Sequence, residues 1–563
     1  MTHLATISNS RKMSPVTEDK KCVIETKEGP ICGYIDEREE GTYYKFKSIP
    51  YAKPPLGCLR FLPPTPIQSW NDIKDCTVDA PLPICPSLNK EITGSEDCLY
   101  IEVSTPSIKP TEAMPVMFWI GSYSFAFYID NIFDPSLVND QNAVFVRCGF
   151  RLGPFGFLSI NDYAAPGNCG LKDLIMALKW IQRNISSFGG DPNNVTIFGN
   201  STGGAIVHFM MLSPMATGLF HKAIVKSASA INNWSLAKNP CQPVVELAKY
   251  LGIDKPTKAE IVDELRSISA LDIMKAFQTM SVETHKGANN DVIDAIFKPC
   301  IEVDLEGQPA FITKSPLLIM KSGNFNKVPL VIGSNNIEGA TLQFMNKEYA
   351  DFEKINENVS LLVPRSLAGE DKLSKSIGQQ LLKFYLGDEK LREDSRKQYL
   401  QLISDYYFSY YVNKTIRLHT QVAPESPIYY YIVNYAGEWS LPKDANFLDS
   451  LGHCAEIPFV FRIQMPDICI GSRDAVTTRN RIVKMWTNFA KTGNPTPDHD
   501  DPLLQITWDP VESKDKLNYL SIGSELTKGR NPFYERMKFW DKLHKEHKFL
   551  RALVYFNDIG VSW

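Results

Sequence analysis

The sequence lacks both concentrated charge and long apolar runs. Its 563 residues carry 60 Lys and Arg against 64 Asp and Glu, a formal net charge of −4, and no long basic stretch interrupts that balance. A chain so close to neutrality offers no electrostatic footprint for nucleic acid. No window reaches the ~18 to 20 consecutive apolar residues that a membrane-spanning helix requires. We therefore predict neither nucleic-acid binding nor a transmembrane segment.

The amino-terminal segment lacks the apolar core of a secretory signal. It reads MTHLATISNSRKMSPVTEDKK and is polar throughout, whereas a signal peptide needs a continuous apolar region of about seven residues or more. Twelve cysteines are also too few, in a chain of this length, for a disulfide-dense secreted protein. We expect a cytoplasmic protein, and the prediction allows peripheral association with intracellular membranes.

Internal repeats, low-complexity tracts and cofactor motifs are absent as well. The sequence contains no G-x-x-x-x-G-K-[ST] motif, no strand-linked G-x-G-x-x-G and no Cys/His spacing typical of zinc. It therefore predicts no cofactor and no metal. With no linker in sight, we expect one domain over residues 21–548, preceded by a disordered segment at 1–20 and followed by a tail at 549–563.

The apolar residues that are present follow two alternating patterns. Short runs rich in Val, Ile and aromatic residues predict strands buried on both faces. These runs cover residues 116–120, 143–148, 195–199, 222–229, 328–334 and 427–434. Helical patterns lie between them, and the clearest, residues 171–188, repeats its apolar positions at i, i+3, i+4 and i+7. The alternation predicts an α/β fold with a mostly parallel central sheet flanked by helices.

The most informative short motif is FGNSTGGA, residues 198–205. It places Ser201 between Gly199 and Gly203, after the strand pattern VTIF and before an apolar helical pattern. This strand–turn–helix context is typical of a nucleophile elbow, in which glycines relieve crowding around a reactive serine. Three fixed positions in five residues carry little information alone, so the prediction depends on the context.

Five longer stretches extend this evidence along the chain in a fixed order. They are IPYAKPPLGCLRF (49–61), GSEDCLYIEV (94–103), FRLGPFGFLS (150–159), the run from NCGLKD to GNSTGGA (168–205) and W-x-x-F-A-K-T-G-N-P (486–495). Together they resemble the type-B carboxylesterase and cholinesterase family, most of all intracellular insect alpha-esterases, over about residues 22–548. The resemblance implies an α/β-hydrolase fold with helical insertions around a gorge, and it implies ester hydrolysis.

The resemblance also implies partners for Ser201. The segment GSNNIEGA corresponds to the family segment that supplies an acid, which assigns that role to Glu338, and GHCAEIPFVF assigns the role of base to His453. The chain order Ser, Glu, His is that of an α/β-hydrolase triad. In this interpretation His453 deprotonates Ser201 while Glu338 orients the imidazole. The alternative is a solvated loop carboxylate and a structural histidine.

One segment departs from the family pattern. Where relatives carry H-G-G-G-F or Y-G-G-G-F, this chain reads GSYSF at residues 121–125, which we call the oxyanion segment. The resemblance assigns the oxyanion hole to the backbone N–H groups of Tyr123, Ser124 and Thr202. Glycine allows conformations and close approach that Tyr123 does not. Asn200 and Thr202 also replace the usual Glu and Ala beside the nucleophile, so we expect an atypical oxyanion hole.

Two further features follow from the resemblance. It implies a disulfide between Cys85 and Cys98, with Cys76 as an alternative first partner and free thiols as the alternative in a reducing cytosol. It also implies that aromatic residues line an apolar gorge suited to lipophilic ligands, although core packing is the alternative for each of them. These aromatic residues are Phe125, Phe127, Tyr128, Tyr407, Phe408, Phe459 and Phe461.

Three functions remain open at this stage. The first is a serine carboxylic-ester hydrolase that acts through an acyl-enzyme on small or lipophilic esters. The second is a catalytically impaired relative that binds or sequesters lipophilic esters or organophosphates. The third is an interaction protein of the adhesion type, against which the polar amino-terminal segment and the lack of a membrane span count. We favour the first, with a small-molecule ester as partner, because all three triad residues are present. Oligomeric state does not follow from the sequence.

Overall fold

A computed structural model describes residues 17–87, 90–128, 132–285, 295–341, 351–363, 371–387, 390–435, 451–463 and 472–547. The predicted disordered segment at 1–20 therefore lies mostly outside the described residues, and so does the predicted tail at 549–563. Within the described part, Glu18–Lys20 form a short 3-10 helix. The Lys20 N–H donates to the Thr17 carbonyl at 3.0 Å, which closes this helical turn.

Within the described residues, the central feature is a 13-stranded mixed sheet, and two small two-stranded sheets accompany it. The strands are β1 (Lys21–Glu25), β2 (Pro30–Arg38), β3 (Gly41–Pro50), β4 (Lys74–Asp75), β5 (Cys85–Pro86), β6 (Ile92–Thr93), β7 (Tyr100–Thr105), β8 (Met114–Ile120), β9 (Phe133–Asp134), β10 (Val144–Cys148), β11 (Gly190–Asn200), β12 (Lys222–Lys226), β13 (Leu330–Asn335), β14 (Ile428–Val433), β15 (Arg462–Ile463), β16 (Asn518–Ile522) and β17 (Leu526–Arg530).

Helices connect and cover these strands. The α-helices are α1 (Ser136–Asn139), α2 (Gly153–Phe157), α3 (Cys169–Asn184), α4 (Thr202–Leu212), α5 (Gln242–Tyr250), α6 (Lys258–Ser267), α7 (Ala270–His285), α8 (Pro316–Ser322), α9 (Phe352–Glu357), α10 (Asp371–Leu386), α11 (Arg396–Ser404), α12 (Tyr410–Val422), α13 (Arg473–Thr492) and α14 (Tyr534–His547). A π-helix, Asp405–Ser409, joins α11 to α12. Further 3-10 helices are Gly57–Leu59, Ile185–Phe188, Pro214–Ala216, Val359–Leu362, Glu393–Ser395 and Ile457–Phe459.

The sheet order is β1-β2-β3-β7-β10-β8-β11-β12-β13-β14-β16-β17, with β4 paired to β2. Every pair from β10 to β16 along this order is parallel, and the pairs toward both edges are antiparallel. The six predicted buried strands are β8, β10, β11, β12, β13 and β14, so the prediction of a mostly parallel core is confirmed.

The strand faces explain why these runs are apolar throughout. In β8, Val116 and Phe118 pack into one hydrophobic cluster, while Met117 and Trp119 pack into a second cluster. Side chains of successive strand residues point to opposite faces, so a strand covered on both sides must be apolar at every position. The sheet is thus a buried layer between helices. The amphipathic pattern at 171–188 forms α3 and the 3-10 helix that follows it, and the chain leaves this helix through Gly189 at φ 79°.

Candidate active site

Ser201 lies on the turn between β11 and α4. Its backbone has φ 57° and ψ −127°, a conformation that non-glycine residues rarely adopt and that costs on the order of 1 to 3 kcal/mol. The Ser201 N–H donates to the Lys226 carbonyl on the neighbouring strand β12 at 3.0 Å, which holds the turn against the sheet. The turn therefore presents the serine at the carboxyl end of the central strands, where open α/β sheets place their sites.

The turn around Ser201 leaves no room for a side chain at Gly199 or Gly203. A Cβ atom at Gly203 would lie 2.2 Å from the Ile120 carbonyl oxygen, and one at Gly199 would lie 2.6 Å from the backbone of Gly203. Both contacts involve backbone atoms that cannot move aside cheaply. The end of β8 and the start of α4 therefore approach each other as closely as the backbone allows, which brings the oxyanion segment beside the nucleophile.

His453 contacts Ser201 directly. Its Nε2 atom is 2.7 Å from Ser201 Oγ, and its Nδ1 atom is 2.7 Å from Glu338 Oε2. Because a carboxylate can only accept, Nδ1 carries the proton and Nε2 is left to accept from the serine hydroxyl. All three side chains are almost fully buried. Three residues that are far apart in the sequence thus form one continuous hydrogen-bonded chain.

Glu338 is held from both sides. It follows β13 in a turn, and its Oε1 atom accepts from the Ser227 hydroxyl and from the Asn335 N–H, both at 2.6 Å. The Glu338 carbonyl in turn accepts from the His453 N–H at 3.1 Å. A carboxylate fixed by two donors cannot rotate freely, so it fixes the imidazole plane that it binds.

The surroundings of His453 make its imidazole more basic. Burial acts to lower the pKa of His453, but the neighbouring Cys454 and the Glu338 carboxylate together outweigh it, and the pKa lies well above the ordinary histidine value. An imidazole of this kind accepts a proton readily from a hydroxyl that bonds to it. The arrangement can therefore support general-base chemistry at Ser201.

The oxyanion segment closes into a tight turn. The Tyr123 N–H donates to the Phe127 carbonyl at 3.1 Å, and the Tyr123 carbonyl accepts from the N–H groups of Ala126 and Phe127. Ser124 and Phe125 both take positive φ, at 51° and 54°. An N–H that is already bound in this way is not available to an oxyanion, so the prediction of Tyr123 as a donor does not hold for this conformation.

The other two predicted donors differ from Tyr123. Thr202 is the first residue of α4, where N–H groups have no acceptor within the helix. In the part of the chain that the structure describes, no carbonyl accepts from the Ser124 N–H. Both N–H groups are therefore available, one from each of the two elements that meet at the elbow.

Comparison with known proteins identifies the family. The profile of the carboxylesterase family matches residues 20–540. Juvenile hormone esterase of Tribolium castaneum is 31% identical over 92% of this chain and 93% of its own length. Esterase FE4 of Myzus persicae is 31% identical over 87% of each chain. The chain belongs to the carboxylesterase family.

The same assignment holds for the three-dimensional structure. The crystal structure of juvenile hormone esterase from Manduca sexta, with OTFP covalently attached, matches with a TM-score of 0.81 at 26% identity, covering 93% of this chain and all of that one. The α/β-hydrolase fold expected of a carboxylesterase is therefore confirmed. None of the helices in the described ranges has the length and hydropathy of a membrane-spanning segment.

Behind the triad, this carboxylesterase holds a buried polar network that the sequence did not reveal. Glu456 accepts from the Asn200 side-chain amide at 2.5 Å and from the Asn335 amide at 2.6 Å. Lys226 Nζ lies 3.5 Å from the same carboxylate, and the Cys454 thiol donates to Asn200 Oδ1 at 2.8 Å. Glu456 thus connects the residue before Ser201 with the strand end before Glu338. Only its position three residues after His453 could have pointed to it.

An aromatic ring covers the imidazole of the base. The ring of Phe408 stacks on that of His453 with centroids 4.2 Å apart and an interplanar angle of 25°. Phe408 lies in the π-helix, and the carbonyl of the preceding residue, Tyr407, accepts from the Trp234 indole at 2.9 Å. Trp234 then contacts both Phe408 and Phe125. Phe408, one of the predicted gorge aromatics, thus stacks on a residue of the triad.

The predicted disulfide is not formed in this structure. Cys85 and Cys98 are both free and buried, and so is the alternative partner Cys76. Burial raises the pKa of Cys85 to about 11 and that of Cys76 to about 12, and it raises the pKa of Cys98 well above its ordinary value. Such thiols form little of the thiolate that disulfide exchange requires. In the described ranges, no three His, Cys, Asp or Glu side chains converge as a metal site would require.

Proposed function

We propose that this protein is a serine carboxylic-ester hydrolase that acts through an acyl-enzyme on small or lipophilic esters. The observation that carries the proposal is the unbroken chain from Ser201 through His453 to Glu338, with 2.7 Å at each step. Such a chain lowers the barrier to removing the serine proton as the hydroxyl attacks. The relatives named above are esterases, which supports the same reaction class.

In the first half of the proposed reaction, Ser201 Oγ attacks the ester carbonyl carbon. His453 Nε2 takes the hydroxyl proton, and Glu338 stabilises the imidazolium that forms. The tetrahedral intermediate carries its negative charge on the former carbonyl oxygen. As this intermediate collapses, His453 returns its proton to the departing alkoxide, so an alcohol leaves and an ester forms between Ser201 and the acyl group.

In the second half, water takes the place of the alcohol. His453 removes a proton from water, which attacks the acyl carbon, and collapse of the second intermediate releases the carboxylic acid and restores the Ser201 hydroxyl. Both intermediates need donors for the oxyanion. We propose that the N–H groups of Ser124 and Thr202 supply them, which makes this a hole of two donors instead of three. We place the enzyme in the cytoplasm, where its free thiols would stay reduced.

One observation favours a second candidate, an impaired esterase that sequesters lipophilic esters or organophosphates. The Tyr123 N–H is bound to Phe127, and losing one oxyanion donor costs about 3 to 4 kcal/mol of transition-state stabilisation. Deacylation would then be slow. In that case the protein would consume one ester per chain and turn over little, although the triad would still be intact.

A burst experiment separates the two candidates. Purified protein is mixed rapidly with p-nitrophenyl butyrate, and nitrophenol release is followed beside the Ser201→Ala variant. The ester-hydrolase proposal predicts continued turnover that is absent from the variant. A burst of one equivalent with no steady phase would favour sequestration. Equal release by both proteins would refute a role for Ser201.

A further inference from the structure

The hydroxyl of Thr202 joins the two elements that carry the available oxyanion donors. Thr202 Oγ1 donates to the Ser122 carbonyl at 2.6 Å and lies 3.3 Å from Ser122 Oγ. Thr202 is fully buried and Ser122 is 1% exposed, so this bond is shielded from water. It connects the first residue of α4 with the residue before the turn that begins at Tyr123.

The position of this hydrogen bond matters because the two proposed oxyanion donors lie on different structural elements. The Thr202 N–H belongs to α4, while the Ser124 N–H belongs to the turn after β8. An oxyanion can use both only if their separation is fixed to a fraction of an ångström, since the benefit of preorganised donors depends on their geometry. The turn itself is strained at Ser124 and Phe125, which gives it a reason to relax away from the helix.

We propose that the Thr202 hydroxyl is a positioning group that holds the oxyanion segment at the correct distance from the nucleophile helix. This inference rests on the proposed esterase function, and it concerns the side chain of Thr202, whereas its backbone N–H is a separate donor. Thr202 stands where the family usually has alanine, and the oxyanion segment GSYSF stands where the family usually has glycines. The extra hydroxyl restrains a segment that has lost one of its donors to Phe127.

Two substitutions isolate the hydroxyl. Thr202→Val keeps the β-branch, the volume and the backbone N–H but removes the hydroxyl, and Thr202→Ser keeps the hydroxyl. Thr487→Val is the matched control, because Thr487 is equally buried and its hydroxyl donates to the Val483 carbonyl at 2.9 Å within α13. Each variant is assayed with p-nitrophenyl butyrate. Its inhibition by a trifluoromethyl ketone, which forms a tetrahedral adduct with serine, is compared with inhibition by the corresponding secondary alcohol, which does not.

The proposal predicts that Thr202→Val lowers kcat about 10- to 100-fold with KM nearly unchanged. Affinity for the ketone should fall by a similar factor while affinity for the alcohol stays constant, and Thr202→Ser should recover most of the loss. Thr487→Val should keep wild-type kinetics. Equal weakening of ketone and alcohol, or a fully active Thr202→Val, would overturn the positioning role. A wild-type protein without Ser201-dependent turnover would instead refute the proposed function.

Discussion

The triad and the oxyanion segment differ in how their groups are held. In the triad, each contact is direct, buried and supported by further hydrogen bonds, as in the two donors that fix Glu338. In the oxyanion segment, one predicted donor is bound within its own turn and two residues take left-handed backbone conformations. In the proposed mechanism, the part of the site that moves the proton is complete, while the part that stabilises the developing charge has one donor fewer than predicted.

The difference shows which parts of such a site tolerate change. A triad depends on three specific side chains, so the substitution of any one of them deletes a group that takes part in the proposed chemistry. An oxyanion hole depends on backbone N–H groups, which every residue except proline supplies, so substitutions there alter geometry without deleting the donors. The sequence GSYSF therefore changes the degree of catalysis that we expect and leaves its type unchanged.

Among variants that keep Ser201, the largest effect that we predict comes from changing the acid of the triad. Glu338→Gln keeps the shape but offers His453 an amide in place of a carboxylate, and kcat should fall about 10³- to 10⁴-fold. Ser227→Ala, which removes only one donor to Glu338, should cost about tenfold. Steady-state assays of both variants measure this. A Glu338→Gln variant within tenfold of wild type would contradict the role of the acid.

The network behind the triad should matter for stability. Glu456→Gln removes the charge that faces the buried Lys226 and leaves that ammonium without a counter-ion. Loss of one partner of a buried pair costs about 3 to 5 kcal/mol in free energy of unfolding. Denaturant titration measures the loss. Lys226→Met combined with Glu456→Gln should recover part of the lost stability. If Glu456→Gln alone is as stable as wild type, the pair does not contribute to stability.

Glycine at position 123 of the oxyanion segment should raise kcat. Tyr123→Gly gives the turn freedom to open and release its N–H, and a recovered donor would raise kcat about 10- to 100-fold. Ser124→Gly is the control, because it relieves the positive φ without adding a donor. If Tyr123→Gly brings no gain in kcat, the missing donor does not limit the rate.

The sequence could predict the parallel strands and the triad, but it could not predict the conformation of the oxyanion segment. Continuous apolar runs identified the parallel strands, because burial on both faces leaves a clear pattern, and the order of the family segments pointed to Glu338 and His453. No sequence pattern predicted the hydrogen bond from the Tyr123 N–H to the Phe127 carbonyl, because this bond depends on backbone angles that the side chains do not determine. The sequence did not identify Glu456, and it assigned Phe408 to the gorge without its stack on His453, because both features depend on contacts with residues more than forty positions away, such as Asn200 and His453.

The smallest predicted effect concerns the ring that covers the base. The free enzyme needs neutral His453, so kcat/KM should fall as the pH drops through a His453 pKa that lies above the ordinary 6.5. Phe408→Leu removes an aromatic face that favours imidazolium, so the midpoint of this acid limb should move to lower pH by less than about one unit. Phe188→Leu changes an equally buried phenylalanine in the 3-10 helix that precedes β11, and it should leave the midpoint in place. A pH–rate profile of each variant makes the comparison.

Covalent labelling shows whether Ser201 is a nucleophile activated by His453 and Glu338. Wild type, Ser201→Ala and Glu338→Gln are exposed to a fluorophosphonate, and mass spectrometry follows the intact protein and its peptides over time. We expect one phosphonyl group per chain on the peptide that contains Ser201, no adduct in Ser201→Ala and much slower labelling in Glu338→Gln. Labelling of Ser201→Ala at the wild-type rate, or an adduct on another residue, would contradict it.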